Sequence, residues 1–365
     1  MTFNLPLFYF TFFIVVFGLS ILLNSLFLKF AGTLGIRKDE KIIRWNTTSK
    51  PALGGITFYI AFLVSLIVYS LYFQPTTVLL HSQTIGLLCV CTVAFLMGLA
   101  DDAYDTNPML KFSSQVCCGF ILIFSGIYIN IFPNMYLNYG LTMLWVVGLM
   151  NSINLLDNMD AVSSVAVIGA LASITSVLLI RHSATSIFVT MVLGMLSAVF
   201  AFLLFNWYPS KMFMGDTGTQ FLGAFLSAVS ILFLWNTPMA PDNAHLPVQG
   251  ILLTKNFISV LLTFALPVID TTVVFINRLL KGASPFIGGK DHTTHHLFYL
   301  GIKEPRIALV YAGYSAICFI CVVIINKYIE IWTMPDCLIF GSFFILSLIS
   351  FFVVTRIKKR VHEGS

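Results

Sequence analysis

The chain has 365 residues, of which 58% are hydrophobic and only 10% charged, with a formal net charge of +5. Soluble domains carry about 25% charged residues, so this composition excludes an ordinary soluble globular domain and sets the chain in a lipid bilayer. The positive surplus falls mostly between apolar runs, which suits a membrane surface and does not point to nucleic acid.

Apolar segments fall near 5–28, 52–73, 83–100, 112–131, 136–153, 161–180, 184–205, 219–235, 257–275, 307–325 and 332–354. Each approaches the ~20 residues that a helix needs to cross a bilayer, and none shows the alternation of a barrel strand. The expected fold is all-α: a polytopic membrane protein of about eleven transmembrane helices, with residues 1–365 as one integral-membrane domain. The first segment reads as a retained span followed by Lys29, without a cleavage pattern.

An odd number of spans puts the termini on opposite sides. All lysines and arginines except Arg181, Lys255 and Lys327 then share one face. The positive-inside rule makes that face cytoplasmic, with the N-terminus outside and the C-terminus cytoplasmic. The acidic residues, not used in that assignment, follow it. Asp39, Asp101, Asp102, Asp105, Asp157, Asp160, Asp216 and Asp291 lie in the same cytoplasmic loops, and Asp270 approaches that face from within a span. The seven cysteines lie in or beside apolar runs, so even the C-x-x-C of Cys318 and Cys321 reads as packing residues.

Four stretches carry chemistry. Asp101 and Asp102 end an apolar run side by side, with Asp105 a turn later; adjacent carboxylates repel, and a hard cation such as Mg²⁺ would resolve the repulsion. Asn151, Asn154, Asp157 and Asp160 recur every three residues and are expected near one helical face, able to coordinate a metal or hydrogen-bond a sugar or base. Asn206 to Gly218 is a Pro- and Gly-rich turn in which Asp216 is flanked by Gly215 and Gly218, either at a phosphate-binding helix start or as an ordinary N-cap. Ser284 to His296 holds Asp291 and three histidines without a zinc pattern, which fits pyrophosphate recognition; His292 taken alone reads as structural or N-capping.

These motifs, in order, resemble the polyprenyl-phosphate N-acetylhexosamine-1-phosphate transferases, a glycosyltransferase family that includes undecaprenyl-phosphate GlcNAc-1-phosphate and phospho-MurNAc-pentapeptide transferases. Lys50-Pro51-Ala52-Leu53-Gly54-Gly55 resembles the early P-x-x-G-G element, and Asp101-Asp102-x-x-Asp105 with Lys111 and Gln115 the aspartate-rich motif. Asn151–Asp160 resembles N-x-x-N-x-x-D-G-x-D-G, and Asn206–Gly218 resembles N-x-x-P-A-x-x-F-M-G-D-x-G. Asp291–His296 resembles the histidine loop. Asn158 and Ala161 stand where the common pattern has glycines, and the loop reads D-H-T-T-H-H instead of H-x-H-H or H-H-H.

The resemblance implies transfer of N-acetylhexosamine-1-phosphate, GlcNAc-1-phosphate by the look of the last loop, from a UDP-sugar to undecaprenyl phosphate, with release of UMP. It implies a bacterial inner-membrane enzyme with a cytoplasmic active site, dependent on Mg²⁺ with Mn²⁺ as a substitute, and compatible with a homodimer. By carry-over Asn154 and Asp216 would hold the metal, and Asp101 or Asp102 would orient or deprotonate the acceptor phosphate. Asp101, Asp102 and Asp216 are thus the expected catalytic residues. Lys111, Asn151, Asp157, Asp160, Asn206, Asp291, His295 and His296 would bind substrate. Two rival readings are weighed against this. A phospho-MurNAc-pentapeptide transferase differs only in the sugar. A secondary transporter would place acids near span midpoints and show repeat symmetry, and neither is seen.

Overall fold

The structure, a computed structural model, describes residues 4–31, 50–73, 80–181, 184–237, 246–284 and 289–357. Of the residues used above for orientation, Arg37, Lys38, Asp39, Lys41, Arg44, Lys358, Lys359 and Arg360 lie outside the described residues. The described chain is helical. Its helices are α1 (Leu5–Phe30), α2 (Gly54–Phe73), α3 (Ser82–Tyr104), α4 (Pro108–Phe124), α5 (Met135–Leu156), α6 (Val162–Arg181), α7 (Ile187–Asn206), α8 (Gly215–Trp235), α9 (Leu246–Thr263), α10 (Ala265–Leu280), α11 (Thr293–Tyr299), α12 (Glu304–Tyr328) and α13 (Met334–Val354). Among the described residues nine helices are long and apolar enough to cross a membrane, or ten if α9 and α10 form one bent span; α4 is apolar but shorter.

The expected segment 257–275 is the exception to straight helices. The chain bends by 81° between α9 and α10. Phe264 leaves the helical conformation there, and Pro267 follows three residues on. A proline has no N–H for the carbonyl four residues back and its ring crowds that carbonyl, so the break is local chemistry.

At the centre of the bundle stands α8, 94% buried along its apolar window, against 11% for α13, whose side chains face outward as lipid-exposed helices do. Around α8 lie α2, α3 and α5. Phe58 and Phe62 of α2 and Phe221 and Phe225 of α8 are fully buried in one seam. The approach at the start of α8 is closest, and glycine makes it so. A Cβ on Gly98 of α3 would lie 2.4 Å from the Asp216 carbonyl oxygen and 2.5 Å from the Thr217 Cα. The absence of that atom brings the end of α3, with Asp101 and Asp102, against the first turn of α8.

Two of the motifs are joined by backbone. Phe213 N–H donates to the Pro51 carbonyl at 3.0 Å, and Gly54 and Gly55 donate to the carbonyls of Phe213 and Met214 at 3.2 and 3.1 Å. The P-x-x-G-G element and the Pro- and Gly-rich turn thus meet where α8 begins.

Candidate active site

The first turn of α8 is where the site is assembled. Helix starts leave backbone N–H groups without intrahelical acceptors. Here they are met from another helix. Asp216 N–H donates to Asp102 Oδ1 at 2.8 Å, and Thr217 donates to Asp102 Oδ2 through its N–H at 2.8 Å and its hydroxyl at 2.6 Å. An anionic carboxylate at this end also complements the helix dipole. Asp216 is therefore not the N-cap of its own helix, as one reading of the turn would have it; Asp102 caps α8 from α3. Gly215 has φ of +72°, and a Cβ there would lie 2.4 Å from Asp102 Oδ2. Only glycine suits both the left-handed backbone and the arriving carboxylate.

Freed from capping, the Asp216 carboxylate meets two partners. Lys111 Nζ from α4 lies 3.0 Å from Asp216 Oδ1 and 2.9 Å from Asp101 Oδ2, one ammonium between two carboxylates. Asn154 of α5 donates through Nδ2 to Asp216 Oδ1 and, at 2.8 Å, to Thr219 Oγ1. Asp101 also accepts from Thr106, through its N–H at 3.0 Å and through its hydroxyl. Asp101, Lys111, Asn154 and Asp216 so form one cluster from four helices, with side chains 11% exposed at Asp101, 19% at Lys111 and 29% at Asp216. Asp105, past the end of α3, is exposed with φ of +51°.

Below this cluster, Asn151 belongs to a polar patch inside the bundle. Its Nδ2 donates to Gln115 Oε1 at 2.8 Å, and Gln115 Nε2 donates to Gln220 Oε1 at 3.0 Å and to Asn151 Oδ1 at 3.2 Å. Gln220, one residue beyond Thr219 on α8, was not expected there.

The series Asn151, Asn154, Asp157, Asp160 does not run along one helix. α5 ends at Leu156, Asp157 is its C-cap and Asp160 lies in the following turn. Asp and Asn side chains compete for nearby backbone groups and favour turns over helix interiors, which explains the early stop. Asp157 accepts from the Ser163 hydroxyl at 2.7 Å. Asp160 is buried and accepts from Ser210 N–H at 2.9 Å and the Ser210 hydroxyl at 2.7 Å, with Lys50 Nζ at 3.5 Å. Asn206, also buried, accepts from Ala161 N–H at 3.1 Å and the Ser164 hydroxyl at 2.7 Å and donates to the Met212 carbonyl at 3.1 Å. Both tie the α5–α6 turn to the turn before α8. Ala161, where the family pattern has glycine, has φ of +67°.

The histidine loop forms a second cluster. Arg278 of α10 grips Asp291 with two bonds, Nε to Oδ2 at 2.8 Å and NH2 to Oδ1 at 2.6 Å. Burial would raise the Asp291 carboxyl, but these bonds to Arg278 hold it below the usual range. His292 stands at the N-cap position of α11, and His295 Nδ1 accepts from its N–H at 3.3 Å. Burial, with nearby His292, lowers His295 to about 4, so it is neutral at pH 7. His296 is half-buried, its ring 5.9 Å from that of Tyr299. Thr294 donates to Asn158 Oδ1 at 2.6 Å, which links the loop to the α5–α6 turn, so the two clusters adjoin through the C-terminal end of α5. Asp270 and Arg278 belong to this cluster and were not among the expected site residues; a carboxylate inside an apolar span was the available signal for Asp270.

Among the described residues, no three His, Cys, Asp or Glu side chains form a metal cage, and the seven cysteines are free.

The arrangement sets one ammonium between two carboxylates at the start of α8, with the histidine loop adjoining. Known proteins share parts of this chain. Residues 84–234 match the model of glycosyl transferase family 4. The chain is 26% identical over 269 residues to a probable undecaprenyl-phosphate N-acetylglucosaminyl 1-phosphate transferase of Bacillus subtilis, covering 71% of this chain and 69% of that one. It is 26% identical over 290 residues to a decaprenyl-phosphate N-acetylglucosaminephosphotransferase of Mycobacterium leprae, covering 73% and 70%. A phospho-N-acetylmuramoyl-pentapeptide-transferase of Streptococcus agalactiae is 30% identical over 201 residues, covering 50% and 59%. The matched region contains α3 to α8 and with them Asp101, Asp102, Lys111, Asn154 and Asp216. The match to the model of glycosyl transferase family 4 and these relatives support the family that the motifs resemble, the polyprenyl-phosphate N-acetylhexosamine-1-phosphate transferases.

Proposed function

We propose that this chain transfers GlcNAc-1-phosphate from UDP-GlcNAc to undecaprenyl phosphate, releasing UMP and making the first lipid-linked intermediate of a surface polysaccharide. The observation that carries the reading is the Lys111 ammonium held between Asp101 and Asp216 at the start of α8. Two relatives that cover most of this chain carry N-acetylglucosamine and a polyprenyl phosphate in their names, and the muramoyl relative covers only half.

In the reaction an oxygen of the acceptor phosphate attacks the sugar-bearing phosphorus, and the bond to UMP breaks with its electron pair. Both substrates are anionic. Lys111 offsets their repulsion and the charge spread over the transferring phosphoryl group. Asp101 is the group we assign to orienting the acceptor phosphate. Asp102 acts through α8, whose first turn it caps, and so sets where Asp216 stands. Asp216 offers a carboxylate and Asn154, whose Nδ2 meets that carboxylate here, an amide oxygen on the same side chain; both are hard oxygens, the type that Mg²⁺ prefers, and Mg²⁺ takes one or two carboxylates and fills its shell with water and substrate phosphate, so it does not require a three-residue cage. Asp216 and Asn154 would hold the ion, with Mn²⁺ as a substitute, and when bound it would add Lewis-acid stabilisation of the phosphoryl oxygens.

Counting α9 and α10 as one span and α4 as another gives eleven crossings and puts the termini on opposite sides. The site end, which carries Lys111, Arg278, Lys290 and Arg306, is then cytoplasmic, in the inner membrane of a bacterium. UDP-GlcNAc would arrive from that side and undecaprenyl phosphate from the bilayer.

The test is turnover by the purified protein in detergent, with undecaprenyl phosphate and radiolabelled UDP-GlcNAc, UDP-GalNAc or UDP-MurNAc-pentapeptide. Transfer from UDP-GlcNAc with stoichiometric UMP, lost in EDTA and restored by Mg²⁺, is expected. Transfer from the muramoyl donor alone would overturn the sugar, and no transfer from any donor would overturn the reaction.

A further inference from the structure

Three amide side chains lie one helical turn from three residues of the site, on the same three helices. Gln115 follows Lys111 by four residues on α4, Asn151 precedes Asn154 by three on α5, and Gln220 follows Asp216 by four on α8. Residues three or four apart share a face of a helix, so the amides form a layer beneath the charged one. Gln115 and Asn151 exchange two bonds: Asn151 Nδ2 donates to Gln115 Oε1 at 2.8 Å, and Gln115 Nε2 donates to Asn151 Oδ1 at 3.2 Å. Gln115 Nε2 also donates to Gln220 Oε1 at 3.0 Å. Asn151 Nδ2 also donates to the Val147 carbonyl at 2.9 Å, and that bond fixes which way all three amides turn.

Gln115 and Gln220 are buried, and Gln220 Nε2 has no hydrogen-bond partner among the described residues. An unmet buried donor is a cost that an apolar side chain would avoid, so packing alone does not account for the layer. Its place does. Among the described residues, the polar ties from α4 to α8 are Lys111 to Asp216 and Gln115 to Gln220. The first uses the ammonium that the reaction needs. When Lys111 turns to a phosphate oxygen, its hold on Asp216 is shared, and Gln115 still keeps α4 in place against α8 and α5.

We propose that Gln115, Asn151 and Gln220 are positioning residues that hold α4, α5 and α8 in the register at which Lys111, Asn154 and Asp216 meet the transferring phosphoryl group. This rests on the proposed reaction, and it makes Asn151, expected to bind substrate, a tie between helices. Such a layer acts on rate more than on affinity, because a shift of about 1 Å in reacting groups can cost about 10²-fold.

Leucine variants test this. Gln115→Leu should lower kcat about 10–100-fold, with the KM for UDP-GlcNAc within about threefold. Asn151→Leu should do the same, and the double variant should turn over no worse than the poorer single one, because the pair acts as one tie. The double variant also removes both members of the reciprocal pair, so neither is left unmet by the other. Its unfolding midpoint should recover toward wild type while its turnover does not, a split that a merely structural role would not give.

Wild-type kcat in Gln115→Leu, turnover that recovers together with the midpoint in the double variant, or a KM rise confined to Asn151→Leu would each overturn the proposal. If Gln115→Leu fails to fold, as judged by size-exclusion chromatography, Gln220→Leu decides. It gives up one bond but also the unmet donor, and wild-type kcat there overturns the proposal. Failure of the reaction itself is distinct, since the wild-type chain would then transfer no sugar. Register is then read directly, by a short bis-methanethiosulfonate reagent that links Lys111→Cys to Asp216→Cys, with the linked peptide followed by mass spectrometry. Adding Gln115→Leu should slow the linking about tenfold, and an unchanged rate overturns the proposal.

Discussion

Asp216 and Asp270 are both aspartates of apolar helices, and each has a basic side-chain nitrogen within 3.0 Å. Around Asp216 the cluster is open: its side chain is 29% exposed and that of Lys111 19%, so a substrate phosphate can reach both. Around Asp270 it is closed, at 2% for Asp270 and 5% for His292, and both carboxylate oxygens are spent on the protein. The same residue types stay accessible in one region and are consumed in internal bonds in the other. The difference lies in what each helix end finds beside it. Asp102 satisfies the start of α8 and leaves Asp216 available, whereas at α11 Asp270 is itself the carboxylate that meets the first turn, accepting from Thr293.

Breaking each cluster should therefore fail in a different way. Asp270→Ala leaves His292 buried without its carboxylate, and losing one partner of a buried pair costs about 3–5 kcal/mol. The unfolding midpoint in detergent should fall steeply; a midpoint within a degree of wild type would erase the contrast. The same loop gives stability a pH optimum. His292, raised in the fold because Asp270 outweighs its burial, contributes stability that is present below about pH 6.5 and lost as pH rises through its folded value. His295, lowered to about 4, works in the other sense: the unfolded chain takes up a proton that the fold refuses, so stability is present above about pH 6.5 and lost as pH falls toward 4. Thermal unfolding across pH 4–9 should show a maximum between these limbs, and His295→Gln should flatten the acidic one.

Lys111→Ala should do the reverse of Asp270→Ala. Turnover should drop about 10²–10³-fold, as for loss of one group that stabilises developing charge, while the unfolding midpoint falls less than in Asp270→Ala, because this cluster is more exposed than Asp270 and His292. A variant that unfolds but turns over normally once folded would show that the ammonium only holds the helices together.

Gly215→Ala probes the cap between the regions. A left-handed backbone costs a residue with a Cβ about 1–2 kcal/mol, and here the added atom also meets Asp102. Both stability and turnover should fall, since Asp102 can no longer set the first turn of α8. Ala161→Gly is the mildest change and has the opposite sign. Relief of strain at φ of +67°, less the entropy of glycine, should stabilise the chain by about 0.5–1 kcal/mol with turnover unchanged. A lower midpoint would show that Ala161, fully buried, is retained for packing.

The departures from the family pattern also become intelligible in three dimensions. Asn158, in place of a glycine, receives the Thr294 hydroxyl, so an unusual turn residue and the unusual histidine loop are bonded to each other. Nothing in the structure explains why Ala161 is kept in a strained backbone.

Much of the architecture was legible in one dimension. Long apolar runs must become helices in lipid, because nothing else satisfies their backbone, and each of the eleven expected segments corresponds to a described helix or bent pair. Asp101, Lys111, Asn154 and Asp216 were legible as chemistry because charge and amide groups at apolar boundaries are costly without a use. What the linear order could not decide is which of many polar residues meet. Three-residue spacing suggested one helical face for Asn151 to Asp160, but α5 ends at Leu156, and Asp160 and Asn206 became internal ties between turns. Asp102 looked equivalent to Asp101; only the approach of α3 across Gly98 turns one toward the start of α8 and leaves the other to Lys111. Asp270 gained its role from residues 22 and 23 positions away in sequence, after an 81° bend. Spacing fixes which side chains share an element, whereas helix crossings and ends decide which of them face a ligand and which face each other.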